Sequence, residues 1–280
     1  MVDLAQSLKE RVNFYENFKD WYQLIVREFG FNPEKDCEAR DYLLKILKKK
    51  KPNWSIEQVL NSFKSHVEKK KNIFLYGCGP SLEKTFYHIL KVKGSSFFTN
   101  QINLVADGAS RIFMENSIDM DGIFSDLDGI TLKEFNKARY MIVHAHGDNI
   151  DKLRFFRNKI IDFDNLIGTT QVEPLEDVLN PGGFTDGDRI LFFIRSFLKE
   201  EHEIYFIGMD LIKKVGRYSK PGNDKDHEAS PIKYKKIKLA FKLIEWISEI
   251  IPNKIHFLNC NVGAHNFDVL SLEEISVLDI

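Results

Sequence analysis

The sequence predicts an α/β protein, a doubly wound and mostly parallel sheet with an α-helical N-terminal region ahead of it. Three observations carry this prediction. From residue 72 onward, apolar runs of strand length recur. Helical apolar periods lie between most of those runs. Before residue 72 the apolar residues keep a helical period and no strand run occurs.

Taken in order, Leu4, Leu8, Val12, Tyr15, Phe18, Tyr22, Ile25 and Phe29 recur every three or four positions, one face of a helix. Leu43, Leu44, Ile46 and Leu47 mark a second helical stretch. SIEQ at 55–58 has capping-box spacing, Ser55 to Gln58, and opens a third. Residues 1–71 therefore form a helical region with no visible chemistry, suited to packing, a dimer contact or a lid. At residue 72 NIFLYG begins, an apolar run ending in Gly, as in a strand buried on both faces. INLVA (102–106), GIFS (122–125), YMIVHA (140–145), NLIGTT (165–170), EIYFIG (203–208) and KIHFL (254–258) follow. Helical patterns fall at 82–92, 131–138, 151–158, 186–199 and 233–250, the second opened by TLKE, another capping box. This alternation predicts a Rossmann-like catalytic domain over 72–280. The polar stretch 212–232, with two prolines and two glycines, is long for a connection and predicts a lid or disorder.

Composition excludes several classes. Hydrophobic residues are 43%, charged residues 29% and the formal charge −1, which calls for neither nucleic acid nor a membrane surface. The 23 phenylalanines predict a Phe-rich core. Cys37, Cys78 and Cys260 are far apart, without zinc-ligand spacing or a disulfide framework. KKKK at 48–51 and EKKK at 68–71 read as solvated helix ends. MVDLAQSLKE lacks an apolar signal-peptide core, and no apolar run approaches the ~18 residues of a membrane span. The expectation is a cytoplasmic protein.

In an open α/β sheet, ligands bind beyond the carboxyl ends of the strands. After the first strand comes GCGPSLEKT. Gly77 and Gly79 permit a tight turn, and Pro80 and Ser81 begin a helix whose free N–H groups can meet a phosphate. The third glycine of G-x-G-x-x-G is Leu82 here, and there is no Walker A Lys-Ser/Thr, so a turn without ligand stays open. The next strand ends carry ADGAS (Asp107, Gly108), SDLDG (Asp126, Asp128) and HAHGDN (His144, His146, Asp148, Asn149). GTTQ with Thr170 follows, then NPGGFTDGDR with Gly183, Thr185, Asp186 and Asp188, and finally GMD with Asp210. Acidic residues at consecutive strand ends crowd negative charge, which is costly unless a cation neutralises it. If the SDLDG segment is extended, Asp126 and Asp128 point to one side; the alternative is a plain turn. Mg²⁺ suits the oxygen donors, and it is favoured over zinc despite the His144/His146 pair.

ADGAS, SDLDG, AHGDN and GGFTDGDRI resemble, in the same order, the ADGG, GDFDS, DQ..TD and GGR.DH elements of thiamin pyrophosphokinases. With GCGPSL, H-x-H-G-D-N and G-G-F-T-D-G-D-R included, the closer resemblance is to archaeal 6-hydroxymethyl-7,8-dihydropterin pyrophosphokinases, over about residues 72–210. The resemblance implies transfer of diphosphate from ATP, a co-substrate, to the hydroxymethyl group of a dihydropterin, with AMP released and Mg²⁺ required. It makes Asp126, Asp128 and Asp148 the catalytic Mg²⁺ ligands, and gives Asp107 and Asn149 the metal-bound phosphates or ribose. Thr185, Asp186 and Asp188 would face nucleotide or pterin. The substrate-binding set then reads Gly77, Gly79, Pro80, Ser81, Asp107, Gly108, Asn149, Thr170, Gly183, Thr185, Asp186, Asp188, Lys233 and Lys236. Ser125 and Ala109 depart from the thiamin enzymes, which have Gly at both places. Phosphoryl transfer asks mainly for positioning and charge neutralisation. Arg189, Arg217, Lys220, Lys233 and Lys236 are the candidate cations, with 212–232 closing over the triphosphate. The expected partners are ATP and a dihydropterin, without nucleic acid or membrane, in a chain that could form a homo-oligomer. The rival expectations are a glycosyltransferase of nucleotide-activated nonulosonate sugars and a non-catalytic nucleotide-binding module.

Overall fold

The computed structural model describes residues 7–278. Four helices come first: α1 (Leu8–Val12), α2 (Tyr15–Phe29), α3 (Pro33–Leu47) and α4 (Ile56–Val67). The sheet then begins with β1 (Asn72–Tyr76), α5 (Ser81–Lys93), α6 (Ser96–Asn100), β2 (Ile102–Ala106), α7 (Ser110–Glu115) and β3 (Met120–Ser125). β4 (Ala138–Ala145), α8 (Ile150–Asp162), β5 (Leu166–Thr170), β6 (Val178–Leu179), α9 (Asp186–Ile194) and β7 (Glu203–Ile207) continue it. A hairpin of β8 (Lys214–Val215) and β9 (His227–Glu228), α10 (Pro231–Ser248), β10 (Ile255–Leu258), β11 (Asp268–Leu270) and α11 (Leu272–Val277) complete the described chain.

The main sheet runs β11-β10-β7-β1-β2-β3-β4-β5-β6. Its pairings are parallel, as both-face burial of β1, β2 and β5 requires. From β1 the chain winds one way to β6, then β7 returns to the other flank of β1. That reversal is a topological switch point.

Two apolar cores cover the two faces. One holds Phe18, Tyr22, Phe63, Phe192, Phe193 and Phe241, so the N-terminal helices share it with α9 and α10. The other takes Leu43, Leu44, Ile46 and Leu47 of α3 with Phe86, Phe98, Phe113 and Phe156. The Phe-rich composition is used here. Phe63 meets Tyr140, Phe193 and Phe197 edge to face at 5.0, 5.3 and 4.9 Å, each pair worth about 0.5–1.5 kcal/mol beyond its buried area. All three cysteines are free. Among the described residues, no helix is long and apolar enough to cross a membrane.

Three local expectations change. Ser55 is the N-cap of α4, but its side chain makes no capping hydrogen bond. The helix expected at 131–138 is one 3₁₀ turn, Glu134–Asn136. Eight helical residues rise only about 12 Å, whereas recrossing the six residues of β3 needs about 20 Å, so the chain runs more extended. Thr131 instead donates its N–H and O–H to the Glu134 carboxylate (2.9 and 2.6 Å). The stretch 212–232 is ordered, with the β8–β9 hairpin and a 3₁₀ turn, Arg217–Ser219.

Candidate active site

SDLDG is a turn, and the turn is what gathers its acids. Leu127 takes φ +72, left-handed and unfavourable for Leu, so the segment is not extended. The Asp128 N–H donates to Asp126 Oδ1 (3.2 Å), an Asx turn. The Leu127 N–H donates to Ser125 Oγ (2.8 Å), and the Ser125 hydroxyl donates to Asp107 Oδ1 (2.6 Å). The Gly129 N–H reaches the same oxygen at 3.2 Å. A Cβ on Gly129 would lie 1.9 Å from Asp107 Oδ2, so only Gly lets these loops meet. Asn149 clamps the neighbouring loop, its Nδ2 donating to Asp126 O (2.8 Å) and His144 O (2.7 Å) while its Oδ1 accepts from the His146 N–H. One oxygen each of Asp107, Asp126 and Asp128 thus comes within 4.8 Å of the others.

The charges are far from balanced. Burial first, then Asp186 and Asp126, hold Asp107 well above the usual carboxylate range, against the Ser125 hydroxyl. Burial and Asp126 push Asp186 up to about 7 despite Arg189. Burial would raise Asp126 as well. The His146 hydrogen bond and charge, the Asp128 N–H and Lys220 outweigh it and keep Asp126 below the ordinary range. Lys220, from the hairpin segment, ion-pairs with Asp128. A cation already stands against the carboxylate group, which is what such a cluster demands.

Two cavities flank this group. The first, of about 360 Å³, opens at the β1/β7 switch point, with Gly77, Gly79, Asp107, Asp126 and Asp128 on one side. Met209, Val215, Ile237 and Phe241 add apolar lining. The second, of about 370 Å³, lies beyond the ends of β4 and β5. The α2–α3 turn and the first turn of α3 wall it with Phe31, Asn32, Lys35 and Asp36. Asp126, Thr185, Asp186, Lys233 and Lys236 line both cavities and form the boundary between them.

Other predicted residues stand elsewhere. Asp148 is exposed, lines the second cavity and lies outside the Asp107–Asp126–Asp128 group. Asp188 is buried and accepts from the Phe184 and Thr185 N–H groups (2.6 and 2.7 Å), capping α9 rather than facing a ligand. Asn149 is spent on the clamp. Thr170 is buried, its Oγ1 facing the Val172 N–H. Gly183, at φ +86, packs on the Arg189 backbone, and Gly108 lies beneath the Tyr218 carbonyl; neither lines a cavity. Pro80 and Ser81 line neither cavity. The Ser81 N–H and hydroxyl both donate to Asp210 Oδ2 (2.9 and 2.8 Å), so a carboxylate of this chain already holds the helix start expected to meet phosphate. Arg217 turns to Glu83 and Tyr218, outside both cavities.

Sequence reasoning missed the contribution of the helical region. Asp36 is 3% exposed and accepts from the Tyr22 hydroxyl (2.7 Å), the Gln171 amide (2.8 Å) and the Gly147 N–H (2.7 Å). It fastens the first turn of α3 to the ends of β4 and β5. Only its place in an otherwise apolar-facing helix could have flagged it.

The family model and the sequence relatives agree. A family model described as "6-hydroxymethylpterin diphosphokinase MptE-like" matches residues 44–215. A Pyrococcus furiosus protein named 6-hydroxymethyl-7,8-dihydropterin pyrophosphokinase is 39% identical over 238 residues, 83% of this chain and 94% of that one. A Methanocaldococcus jannaschii protein of the same name is 36% identical over 254 residues, 86% of this chain and 99% of that one. Among solved structures, a Maf glycosyltransferase from Magnetospirillum magneticum is similar at TM-score 0.41 and 15% identity, over 72% of this chain and 34% of its own.

Proposed function

The chain belongs to the MptE-like family of 6-hydroxymethylpterin diphosphokinases, and from that premise we propose that its two joined cavities run a Mg²⁺-dependent diphosphate transfer. The hydroxymethyl oxygen of 6-hydroxymethyl-7,8-dihydropterin attacks the β-phosphorus of ATP. The bond from that phosphorus to the α,β-bridging oxygen breaks, AMP leaves, and the hydroxyl proton is lost. The sugar-transfer alternative has no support from the curated relatives, which are named for the pterin reaction.

The observation that carries this reading is the boundary of the two cavities, where acids and lysines meet. A diphosphate moving from one substrate to another must pass such a point. The first cavity, at the switch point, suits the nucleotide. Gly77 and Gly79 line it, their missing side chains making room for Met209 and Asp210 at the end of β7, and the apolar lining of Met209, Val215, Ile237 and Phe241 suits a base. Lys233 and Lys236 face both cavities and bracket phosphates that bridge them.

The acidic group fits a hard divalent ion. Its donors are all carboxylate oxygens, they converge, and burial among like charges raises Asp107. We assign Asp107, Asp126 and Asp128 as the ligands in this chain, with Asp148 serving the second cavity. Bound there, Mg²⁺ would neutralise phosphate oxygens. On the same reading the enzyme works in the cytoplasm, where ATP is made. The test is product analysis with ATP, Mg²⁺ and the dihydropterin. AMP and pterin diphosphate should appear together, and AMP formed equally without pterin, or none at all, refutes the proposal.

A further inference from the structure

We infer that the second cavity is the pterin subsite, and that His144 Nε2 and Gln171 Oε1 read the donor edge of the heterocycle. The inference rests on the function proposed above and deepens it.

His144 is 2% exposed and lines this cavity, yet its Nε2 has no hydrogen-bond partner among the described residues. Its tautomer follows from its neighbours. Thr169 Oγ1 gives its proton to the Val143 carbonyl (3.4 Å), so it accepts from the Nδ1–H of His144 (3.1 Å). Burial first, then Arg189 and His146, keep the ring neutral, with Gln171 acting the other way. With the proton on Nδ1, Nε2 is an acceptor; the neighbouring Gln171 side chain hydrogen-bonds a protonated ring and offers the neutral one no proton. A buried polar atom without a partner costs about 1–3 kcal/mol, and a ligand donor would remove that cost.

Gln171 stands beside it on the same face of the sheet's end. Asp36 already accepts from the Tyr22 hydroxyl and the Gly147 N–H, so as a carboxylate it takes the Gln171 NH₂ group (2.8 Å). Gln171 then presents Oε1 beside His144, where it would accept from a protonated ring and receives no proton from the neutral one. Two neighbouring acceptors suit a ring edge with two neighbouring donors. A pterin has one, N3–H next to the 2-amino group. Adenine does not, because its single amino group lies between acceptor nitrogens. Phe31 and Phe184, packed against each other, give the cavity one aromatic side, with the Lys236 ammonium over both rings. From this floor the pterin's hydroxymethyl arm would extend to the shared boundary, where the β-phosphate is needed.

The test measures binding of 6-hydroxymethyl-7,8-dihydropterin and of a non-hydrolysable ATP analogue by calorimetry. His144→Phe and Gln171→Leu should each weaken pterin binding by about 10–100-fold and change analogue binding by less than about twofold. Phe31→Ala, in the α2–α3 turn, should raise the KM for pterin and leave the KM for ATP. If the core variants do not fold, an analogue with a 2-oxo group in place of the 2-amino group gives the same answer on the unaltered protein, by binding about 10–100-fold more weakly. Unchanged pterin affinity in the folded variants, equal binding of the 2-oxo analogue, or a selective loss of ATP-analogue binding overturns the assignment. An unaltered protein that binds no pterin overturns the function beneath it instead.

Discussion

Gly129→Ala isolates the packing that gathers the acids. Gly129 has no left-handed φ, so the backbone itself tolerates Ala. The new methyl would lie 1.9 Å from Asp107 Oδ2 and 2.6 Å from its Cγ, well inside any carbon–oxygen contact. Asp107 is 6% exposed and its Oδ1 is pinned by the Ser125 hydroxyl and the Gly129 N–H. It cannot move away and keep both bonds. With Mg²⁺ bound Asp107 would be ionised, and hydrogen bonds to charged groups are worth about 1.5–3 kcal/mol each, so losing both at the lower figure costs about 3 kcal/mol. At ~1.4 kcal/mol per tenfold, the same displacement of a ligand oxygen predicts about a hundredfold loss in kcat/KM. Urea unfolding measures the first quantity, and AMP release titrated with Mg²⁺ measures the second. Unfolding free energy within about 0.5 kcal/mol of the parent, together with an unchanged Mg²⁺ requirement, would refute the reasoning.

Asp128→Asn should abolish turnover while circular dichroism and melting stay near the parent, because Asp128 sits at the rim rather than in a core; retained activity removes this residue from the metal site. Lys220→Met removes the cation that faces Asp128 and should tighten Mg²⁺ binding several-fold in a calorimetric titration, roughly the value of a partly exposed ion pair; weaker binding contradicts the idea that the lysine competes with metal. In EDTA, stability should fall as pH rises from about 4 to about 7. Asp186, ordinarily at 3.8, is pushed up to about 7, so the folded chain keeps a proton that the unfolded chain has released. Asp107 acts in the same direction; Asp126, lowered, acts only below that window, and the buried His144, lowered, opposes the fall below about 6.5 without matching the two acids together. Urea midpoints that climb with pH across the range would contradict this.

The seven strand runs were legible because strands buried on both faces must be apolar throughout, as in β1 and β2. The two-residue β6, the edge strand β11 and the β8–β9 hairpin left no such trace, since short or exposed strands need no continuous apolar run. Strand-end acids were legible as a group but not as individuals. Asp107 and Asp148 differ only in which loop folds over which, and Gly129 settles that through a contact more than twenty positions away in sequence. Asp188, Asp210 and Asn149 look like ligand residues in a motif, yet each is spent on backbone groups, Asp188 on those of its own loop and Asp210 and Asn149 on those of other strand-end loops. Asp36 lies 111 positions from Gly147 and 135 from Gln171, a pairing that no local pattern announces.

The α2–α3 turn divides the work of the site between two distant stretches of the chain. The acids and lysines at the cavity boundary come from the end of β3, the start of α9 and α10, whereas Phe31 and Asn32 come from a short connection ahead of the sheet, outside the 44–215 match to the family model. Such a connection tolerates sequence drift more readily than a strand end under a packed core. A lineage could therefore exchange one ring-bearing acceptor for another by altering this turn alone, inheriting the phosphate chemistry unchanged. For an engineer seeking a new acceptor, the turn is the first place to diversify and the aspartate loops are the last.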